Sequence, residues 1–287
     1  IAKSQAYLKQ ERGEESFSWD DVSAKLVSAR EEASSHPGAI FEYAESYAAG
    51  SLGSLYEYFG HQNGQVGFCG NTEDCFEKSQ EFTEAALYLA QPSVASNIAY
   101  QWQWQLGRLK NERNQLKEAI DLYREAIQTL ESVRSDILTI SSDEQFSFRD
   151  NVEPIYRETI DLLLTDRLQE SDKAFKSQLN NRETKNVYES LYYADSLRLA
   201  ELENFLQCSV QQNNLEEQTN INIGSLEAQI DRLKEKLNQI FISEKETAII
   251  YPIILNERLN IIYASSKKAL DYYTVPDSSH ERVDKLL

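Results

Sequence analysis

The most regular stretch of the chain runs from Tyr100 to Thr129 and reads YQWQWQLGRLKNERNQLKEAIDLYREAIQT. Apolar residues recur every three or four positions on both sides of Asn114, which is the spacing of amphipathic helices on either side of a turn. Small residues stand at Gly107, Ala119 and Ala126. They would let two antiparallel helices approach closely, while Leu106 and Tyr123 fill the space between them. The stretch therefore predicts a tight helical hairpin.

These positions match the signature of the tetratricopeptide repeat (TPR), a helical hairpin that recurs about every 34 residues. A second copy lies upstream, at Leu52, Gly53 and Tyr56 of its first helix and at Ser79, Thr83 and Ala86 of its second. Trp19 to Ala33 has the pattern of the second helix of a still earlier unit, cut short at the N-terminus. Gly, Asn and Asp before Ser79 predict an inserted surface loop over 61–78. Residues 1–135 are thus predicted to stack as an α–α superhelix, or solenoid.

Residues 136–245 are predicted to form an irregular terminal repeat and a coiled-coil-like helix. The first helix would span Phe146 to Leu164, with an apolar face of Val152, Ile155, Tyr156 and Leu163. The second would span Glu183 to Leu206 and bury Leu199, Leu202, Phe205 and Leu206. Pro154 must either begin a helix or kink one. Spacings of four and three predict a coiled-coil-like helix with the apolar residues Leu226, Ile230, Leu233, Leu237 and Ile240. This helix is too short to be stable alone, so we expect it to pack on a neighbour.

Residues 246–287 change to a β pattern. Thr247 to Leu255 and Arg258 to Ala264 are rich in β-branched and aromatic residues around a turn at Asn256 and Glu257, which predicts a β-hairpin. Leu270 to Val275 is a candidate third strand. Such a ribbon needs a cover, so it either docks on the helices or belongs to a larger sheet. The predicted fold class is mainly α, with a small C-terminal β element.

Four segments also resemble, in the same order, the TPR proteins that end in a CHAT domain, a caspase-like domain. They are AYQWQWQLGRL (Ala99–Leu109), QFSFRDNVEPIYRETIDLLL (Gln145–Leu164), LRLAELENFL (Leu197–Leu206) and IIYPIILNERLNIIY (Ile249–Tyr263). The resemblance implies that the β-hairpin opens the caspase-like domain and that a catalytic His and Cys lie well beyond Leu287. Cys208 and His280 do not match those positions, so we assign no catalytic residue and expect no enzyme activity from this chain.

Charge narrows the choice of partner. The chain has 47 Asp and Glu residues against 29 Lys and Arg, a net charge of −18, which disfavours nucleic acid and anionic membranes and favours a basic protein or peptide. The longest apolar run, Ala248 to Leu255, is too short to span a bilayer and contains Pro252. Without Met the sequence is expected to be a fragment, and three cysteines make a cytoplasmic location the default. No phosphate loop or HExxH pair is present, so no cofactor is expected.

A peptide groove is predicted on the first helices of the two repeats. Its members would be Tyr47, Ser51, Ser54 and Tyr58 of one helix and Gln101, Trp104, Gln105, Arg108 and Asn111 of the other. Flat aromatic rings give contact area at little entropic cost, and amides adapt to a peptide backbone. Trp102 is assigned to the core. Alternatively, Trp104 is core as well and the chain's own C-terminal helices cover the groove.

The predicted loop contains His61, Cys69, Asp74 and Cys75. A zinc site usually has closely spaced ligands with a CxxC pair, so this spacing is a poor match and no metal is expected. A local disulfide is an alternative, but two free thiols are the favoured interpretation.

The sequence therefore predicts an interaction module whose TPR array recruits a substrate or regulator for a caspase-like peptidase downstream. The alternative is a structural or autoinhibitory scaffold that holds its own C-terminal domain and has no external ligand.

Overall fold

The computed structural model describes residues 19–62, 69–91, 95–140, 152–170, 181–210, 225–243, 247–255, 258–265 and 268–275. Within these ranges the chain forms eight helices and one three-stranded antiparallel sheet, which confirms the predicted mainly α class. The chain divides into two compact units, Ile1–Glu144 and Gln145–Leu287. Among the described helices, none combines the length and the apolar character needed to cross a bilayer.

The first unit is a series of helices in which each packs against the next. They are α1 (Trp19–Ser34), α2 (Ala39–His61), α3 (Thr72–Ala90), α4 (Ser96–Glu112) and α5 (Leu116–Ile140). The hairpins α2–α3 and α4–α5 are the two that the sequence predicts, and α1 is the predicted upstream helix. Helix α2 also contacts α4, so the two hairpins meet through their first helices.

The α4–α5 hairpin is packed as its small residues predict. A Cβ atom on Gly107 would lie 2.8 Å from the Tyr123 ring, so only glycine permits this approach. Ala119 and Ala126 are fully buried beside it. The turn contains Asn114 at φ 57°, a left-handed conformation that asparagine tolerates better than most residues.

The α2–α3 hairpin confirms the predicted contact residues but corrects the predicted loop. The Ser79 hydroxyl donates to the Gly53 carbonyl oxygen at 2.8 Å, and Leu52, Thr83 and Ala86 are buried with it. Helix α2, however, ends at His61 and α3 begins at Thr72, so residues 61 and 72–78 are helical and do not belong to a loop. The reason is local, because the Asn71 side chain accepts a hydrogen bond from the backbone N–H of Asp74 and caps the helix.

Trp102 fixes the distance between α2 and α4, which confirms its predicted place in the core. Its ring lies over Gly50, where any Cβ atom would overlap it. The indole N–H donates to the Ser46 hydroxyl at 3.1 Å, and that hydroxyl donates to the Ala86 carbonyl oxygen at 2.8 Å. Three helices therefore meet at one buried tryptophan.

The second unit contains α6 (Glu153–Glu170), α7 (Asn181–Val210) and α8 (Leu226–Ser243), followed by β1 (Ala248–Ile254), β2 (Leu259–Ser265) and β3 (Lys268–Val275). Pro154 is the second residue of α6, so it begins a helix and does not kink one. The predicted apolar face of α6 is buried at Val152, Ile155, Tyr156 and Leu163. As predicted, α8 packs on α7, with Ile230 and Leu237 buried.

The predicted buried face of α7 is partly wrong. Leu199 and Leu202 are exposed, while Leu197 and Ala200 are buried. The buried positions of this helix continue from Val187, Leu191 and Ala194 at spacings of three and four, which turns Leu199 and Leu202 toward solvent. The side chains of Phe205 and Leu206 lie outside the described part of the structure, as do residues 146–151 of the predicted first helix.

The sheet has the order β1-β2-β3 with antiparallel pairing throughout, which confirms the predicted hairpin and third strand. One face docks on the helices of its own unit. The Tyr272 hydroxyl donates to the Leu164 carbonyl oxygen of α6, and Tyr251 donates to Asp195 of α7 at 2.6 Å. Arg258 forms an ion pair with Asp161 at 2.7 Å. The predicted turn at Asn256 and Glu257 lies outside the described residues.

Gly50→Ala is expected to destabilise the first unit. Alanine normally stabilises a helix interior relative to glycine by about 0.5–1 kcal/mol. Here the new methyl group would overlap the buried Trp102 ring, so we expect a loss of about 1–3 kcal/mol instead. Urea unfolding monitored by circular dichroism measures the difference, with exposed Glu77→Ala on α3 as the control. A gain in stability from Gly50→Ala would contradict this packing.

Adjacent tyrosines of β3 provide a matched test of sheet docking. Tyr272→Phe removes the buried hydroxyl that bonds to Leu164 and is expected to cost about 1 kcal/mol. Tyr273→Phe, on a side chain that is 59% exposed, is expected to change little. Thermal or urea unfolding of both variants measures the contrast, and equal effects would contradict the docking contact.

Candidate recognition surface

The two helices that carry the predicted groove residues run side by side in the same direction. Ser54 of α2 donates to the Gln105 side chain of α4 at 2.5 Å, and one turn further along Glu57 accepts from Arg108. Residue numbers rise together on both helices, so α2 and α4 are parallel. Parallel first helices are what a stack of successive hairpins requires.

Seven of the nine predicted residues keep exposed surface, and they define what we call the recognition strip: Tyr47, Ser54, Tyr58, Gln101, Trp104, Arg108 and Asn111. The other two, Ser51 and Gln105, are buried. The Gln105 amide donates to the Thr83 hydroxyl at 2.6 Å and to the Gly50 carbonyl oxygen at 3.3 Å. Gln105 thus joins α2, α3 and α4 from inside and supports the strip from behind.

The centre of the strip is a fixed arginine. The Arg108 guanidinium donates to both carboxylate oxygens of Glu57, at 2.6 and 2.7 Å, and lies 4.4 Å from the centre of the Trp104 ring. Glu57 is only 6% exposed. A two-pronged contact of this kind is among the strongest that charged side chains form. It holds Arg108 and Trp104 in one arrangement.

Glu57 is not among the nine residues predicted for this surface. A signal existed in the sequence: Glu57 follows Ser54 by three positions, as Arg108 follows Gln105 by three. Equal spacing on two parallel helices places the second pair one turn beyond the first.

Aromatic rings occupy both ends of the strip on α2. Tyr47 packs edge-on against Trp102, with ring centres 5.9 Å apart. Tyr58 packs against Trp19 of α1 at 5.6 Å. Trp19 is the second residue that the sequence did not single out for this surface. On α4, Gln101 donates to the Tyr100 hydroxyl at 3.3 Å, and Asn111 is exposed near the end of the helix.

Next to the strip, Cys69 and Cys75 are joined by a disulfide, which corrects the expectation of two free thiols. Both are buried in a cluster with Leu52, Leu55 and Phe59 of α2. Burial in this cluster brings the two sulfurs together, and the spacing of the two cysteines in the sequence does not predict that burial. His61 packs its ring against Phe76, and Asp74 bonds to Asn71. Among the residues that the structure describes, no three potential metal ligands cluster together.

Burial shifts the pKa of Tyr100, which lies beside the strip. It raises the pKa of Tyr100 from 10.0 to about 12, although the hydrogen bond from Gln101 acts in the opposite direction. Below pH 10 the phenol is neutral in the folded and the unfolded chain. Above pH 10 only the unfolded chain releases the proton, so the stability contributed by Tyr100 is lost as the pH rises toward 12.

We therefore expect the stability of the chain to fall between pH 10 and pH 12, and to fall less in Tyr100→Phe. The difference between the two proteins should change by up to about 2–3 kcal/mol across this window. Urea unfolding at pH 8 serves as the reference, because there the two proteins differ only by the loss of the hydroxyl. A difference that does not depend on pH would contradict the assigned shift.

Comparison of the chain with protein-family models, with curated proteins and with solved structures finds no match.

Proposed function

We propose that the chain is a protein-interaction module that holds an extended segment of a partner along the recognition strip. The observation that supports this most is Arg108, fixed between buried Glu57 and the Trp104 ring on a wall of two parallel helices. A surface that is already ordered loses little conformational entropy on binding. Large aromatic rings and arginine are the residues that most often dominate the energy of protein interfaces.

The charges of the strip favour a basic or neutral segment. Glu57 already neutralises the charge of Arg108 through two short hydrogen bonds, so the strip offers an acidic group of a partner little net attraction. A lysine or arginine of the partner would instead add to the aromatic contacts, because cations stack favourably on tyrosine and tryptophan rings. The net charge of −18 also attracts basic segments, over a longer range than these contacts.

We further propose that α2–α3 and α4–α5 are TPR hairpins that recruit a substrate or regulator for a caspase-like peptidase. The close approach of Gly107 to Tyr123 and the parallel contact of α2 with α4 support the TPR part. The resemblance of Ile249–Tyr263 to the opening of a CHAT domain supports the second part. We expect no peptide hydrolysis by the chain itself, because that resemblance assigns its catalytic pair elsewhere.

The second candidate function is a scaffold for the chain's own C-terminal element. The docking of the sheet on α6 and α7 through Tyr272, Tyr251 and Arg258 supports it. The two candidate functions predict different results, because a scaffold without an external ligand does not bind peptides.

A peptide array that contains basic, neutral and acidic segments tests the proposal with the purified chain. We expect basic and neutral peptides to bind, and Trp104→Ala to weaken them by at least about tenfold, as truncation at an interface hot spot does. Tyr88→Ala on α3 is the control, because that aromatic residue is 78% exposed and lies outside the strip.

Arg108→Ala alone would leave Glu57 buried and unpaired, so the second test uses the double variant Glu57→Gln, Arg108→Gln. It removes both charges together, and circular dichroism checks that it folds. We expect it to bind the same peptides at least about tenfold more weakly. Equal binding by wild type, Trp104→Ala and the double variant would exclude the strip, and no binding by wild type would favour the scaffold.

A further inference from the structure

The Cys69–Cys75 disulfide spans the start of α3. Cys75 lies in the first turn of the helix, and its N–H donates to the Asn71 carbonyl oxygen at 3.1 Å. Asn71 also caps the helix by accepting from Asp74 at 3.0 Å. The helix therefore has its own means of beginning at Thr72. The disulfide has a separate effect, which is to hold Cys69 inside the cluster.

That cluster supports one end of the recognition strip. It contains Leu52, Leu55 and Phe59 of α2 and Val22 and Leu26 of α1, and Tyr58 and Trp19 pack against its edge. The Phe59 ring contacts Tyr58 at 5.5 Å and Trp19 at 5.8 Å. A change in the packing around Phe59 is therefore transmitted directly to two rings at the surface.

Opening the disulfide changes that packing because two thiols need more room than one bond. Bonded sulfurs are about 2.05 Å apart. Heavy atoms that are not bonded require roughly 3.5–4 Å. A close-packed interior does not absorb such an expansion without movement. Cys75 is held by α3, whereas Cys69 lies outside the helix beside exposed Gly70, so Cys69 is the residue that would move.

We propose that the Cys69–Cys75 pair is a redox clamp on the Tyr58 end of the recognition strip. A dithiol opens it: one thiolate attacks the Cys69 sulfur, and Cys75 leaves and takes up a proton. The second thiol of the dithiol then releases Cys69 as a thiol and closes the reagent into a cyclic disulfide. Two electrons and two protons pass to the chain, Cys69 leaves the cluster, and the rings at that end of the strip loosen.

The test uses the full chain with Cys208→Ser, so that only the pair can be alkylated. Without reductant we expect no labelling by iodoacetamide. With dithiothreitol we expect Cys69 to be labelled at least about tenfold faster than Cys75. Cys69 leaves the cluster and becomes accessible, whereas α3 holds Cys75 inside it. Mass spectrometry of the digested chain measures both rates. Equal rates, thiols that stay unreactive after reduction, or thiols that are free before reduction would overturn the proposal.

Hydrogen exchange separates a clamp from general unfolding. Reduction should speed exchange in residues 58–61 of α2 and leave the α4–α5 hairpin unchanged, because that hairpin contributes no residue to the cluster around the disulfide. Cys69→Ala supplies the matched control: it lacks the bond but also lacks the extra sulfur, so its α2 should exchange as slowly as in the oxidised chain. Fast exchange in Cys69→Ala would show that overpacking is not the cause and would overturn the mechanism.

The consequence for binding rests on the proposed function and is measured separately. Peptides that bind the oxidised chain should bind the reduced chain at least about threefold more weakly, through loss of ordered aromatic contacts. If no peptide binds in either state, the proposed function fails, while labelling and exchange still decide whether the clamp exists. Binding that is equal in both states, with Cys69 released, would overturn the coupling to the strip.

Discussion

Gly50 lies directly beneath the ring of Trp102, and this contact sets how closely α2 and α4 approach. The polar contacts between these two helices depend on that distance. Ser54 reaches Gln105 and Glu57 reaches Arg108 only because the two backbones are close. Gly107 plays the same part within the α4–α5 hairpin, under Tyr123. Large rings packed on glycines thus determine the spacing of both helix pairs, α2 with α4 and α4 with α5.

The contact between α2 and α4 is unusually polar for a buried surface. Apolar side chains alone would let two helices slide past each other by a turn at little cost. Gln105, held by Ser54, Thr83 and Gly50, has partners in only one register. The Glu57–Arg108 pair adds a second fixed point one turn away. Buried polar groups cost free energy unless they are satisfied, so this arrangement gives up some stability for a defined alignment.

The parts of the fold that the sequence predicts are those set by nearest neighbours along the chain. Gly107 with Tyr123, Pro154 at the start of a helix, and the three strands all follow from local spacing. The predictions are wrong where an element distant in the sequence determines which residues are buried. The exposure of Leu199 and Leu202 depends on which side of α7 the rest of its unit covers, and helical spacing is compatible with more than one side.

The candidate site was predicted in outline and not in its polar detail. Spacing placed Trp104 and Arg108 on one face, but Glu57 enters that face through a contact between residues 51 positions apart. The helix cap at Asn71 was missed for a different reason. Asparagine three residues before an acidic residue, here Asp74, is a recognisable helix start. The Gly- and Asn-rich composition around it pointed to a loop instead. The disulfide depends on burial, which two cysteines in a sequence do not reveal.

The centre of the recognition strip and its Tyr58 end are held by different kinds of contact. Arg108 and Trp104 are held by ionic and ring contacts. Tyr58 is held by packing against Trp19 and Phe59, and the cluster beneath these rings contains the Cys69–Cys75 disulfide. In the proposed module the centre would therefore set which segment is recognised, and the Tyr58 end would set how long it stays bound. Such a division lets affinity change without loss of specificity, because the contacts that discriminate between partners are not the ones that the clamp moves.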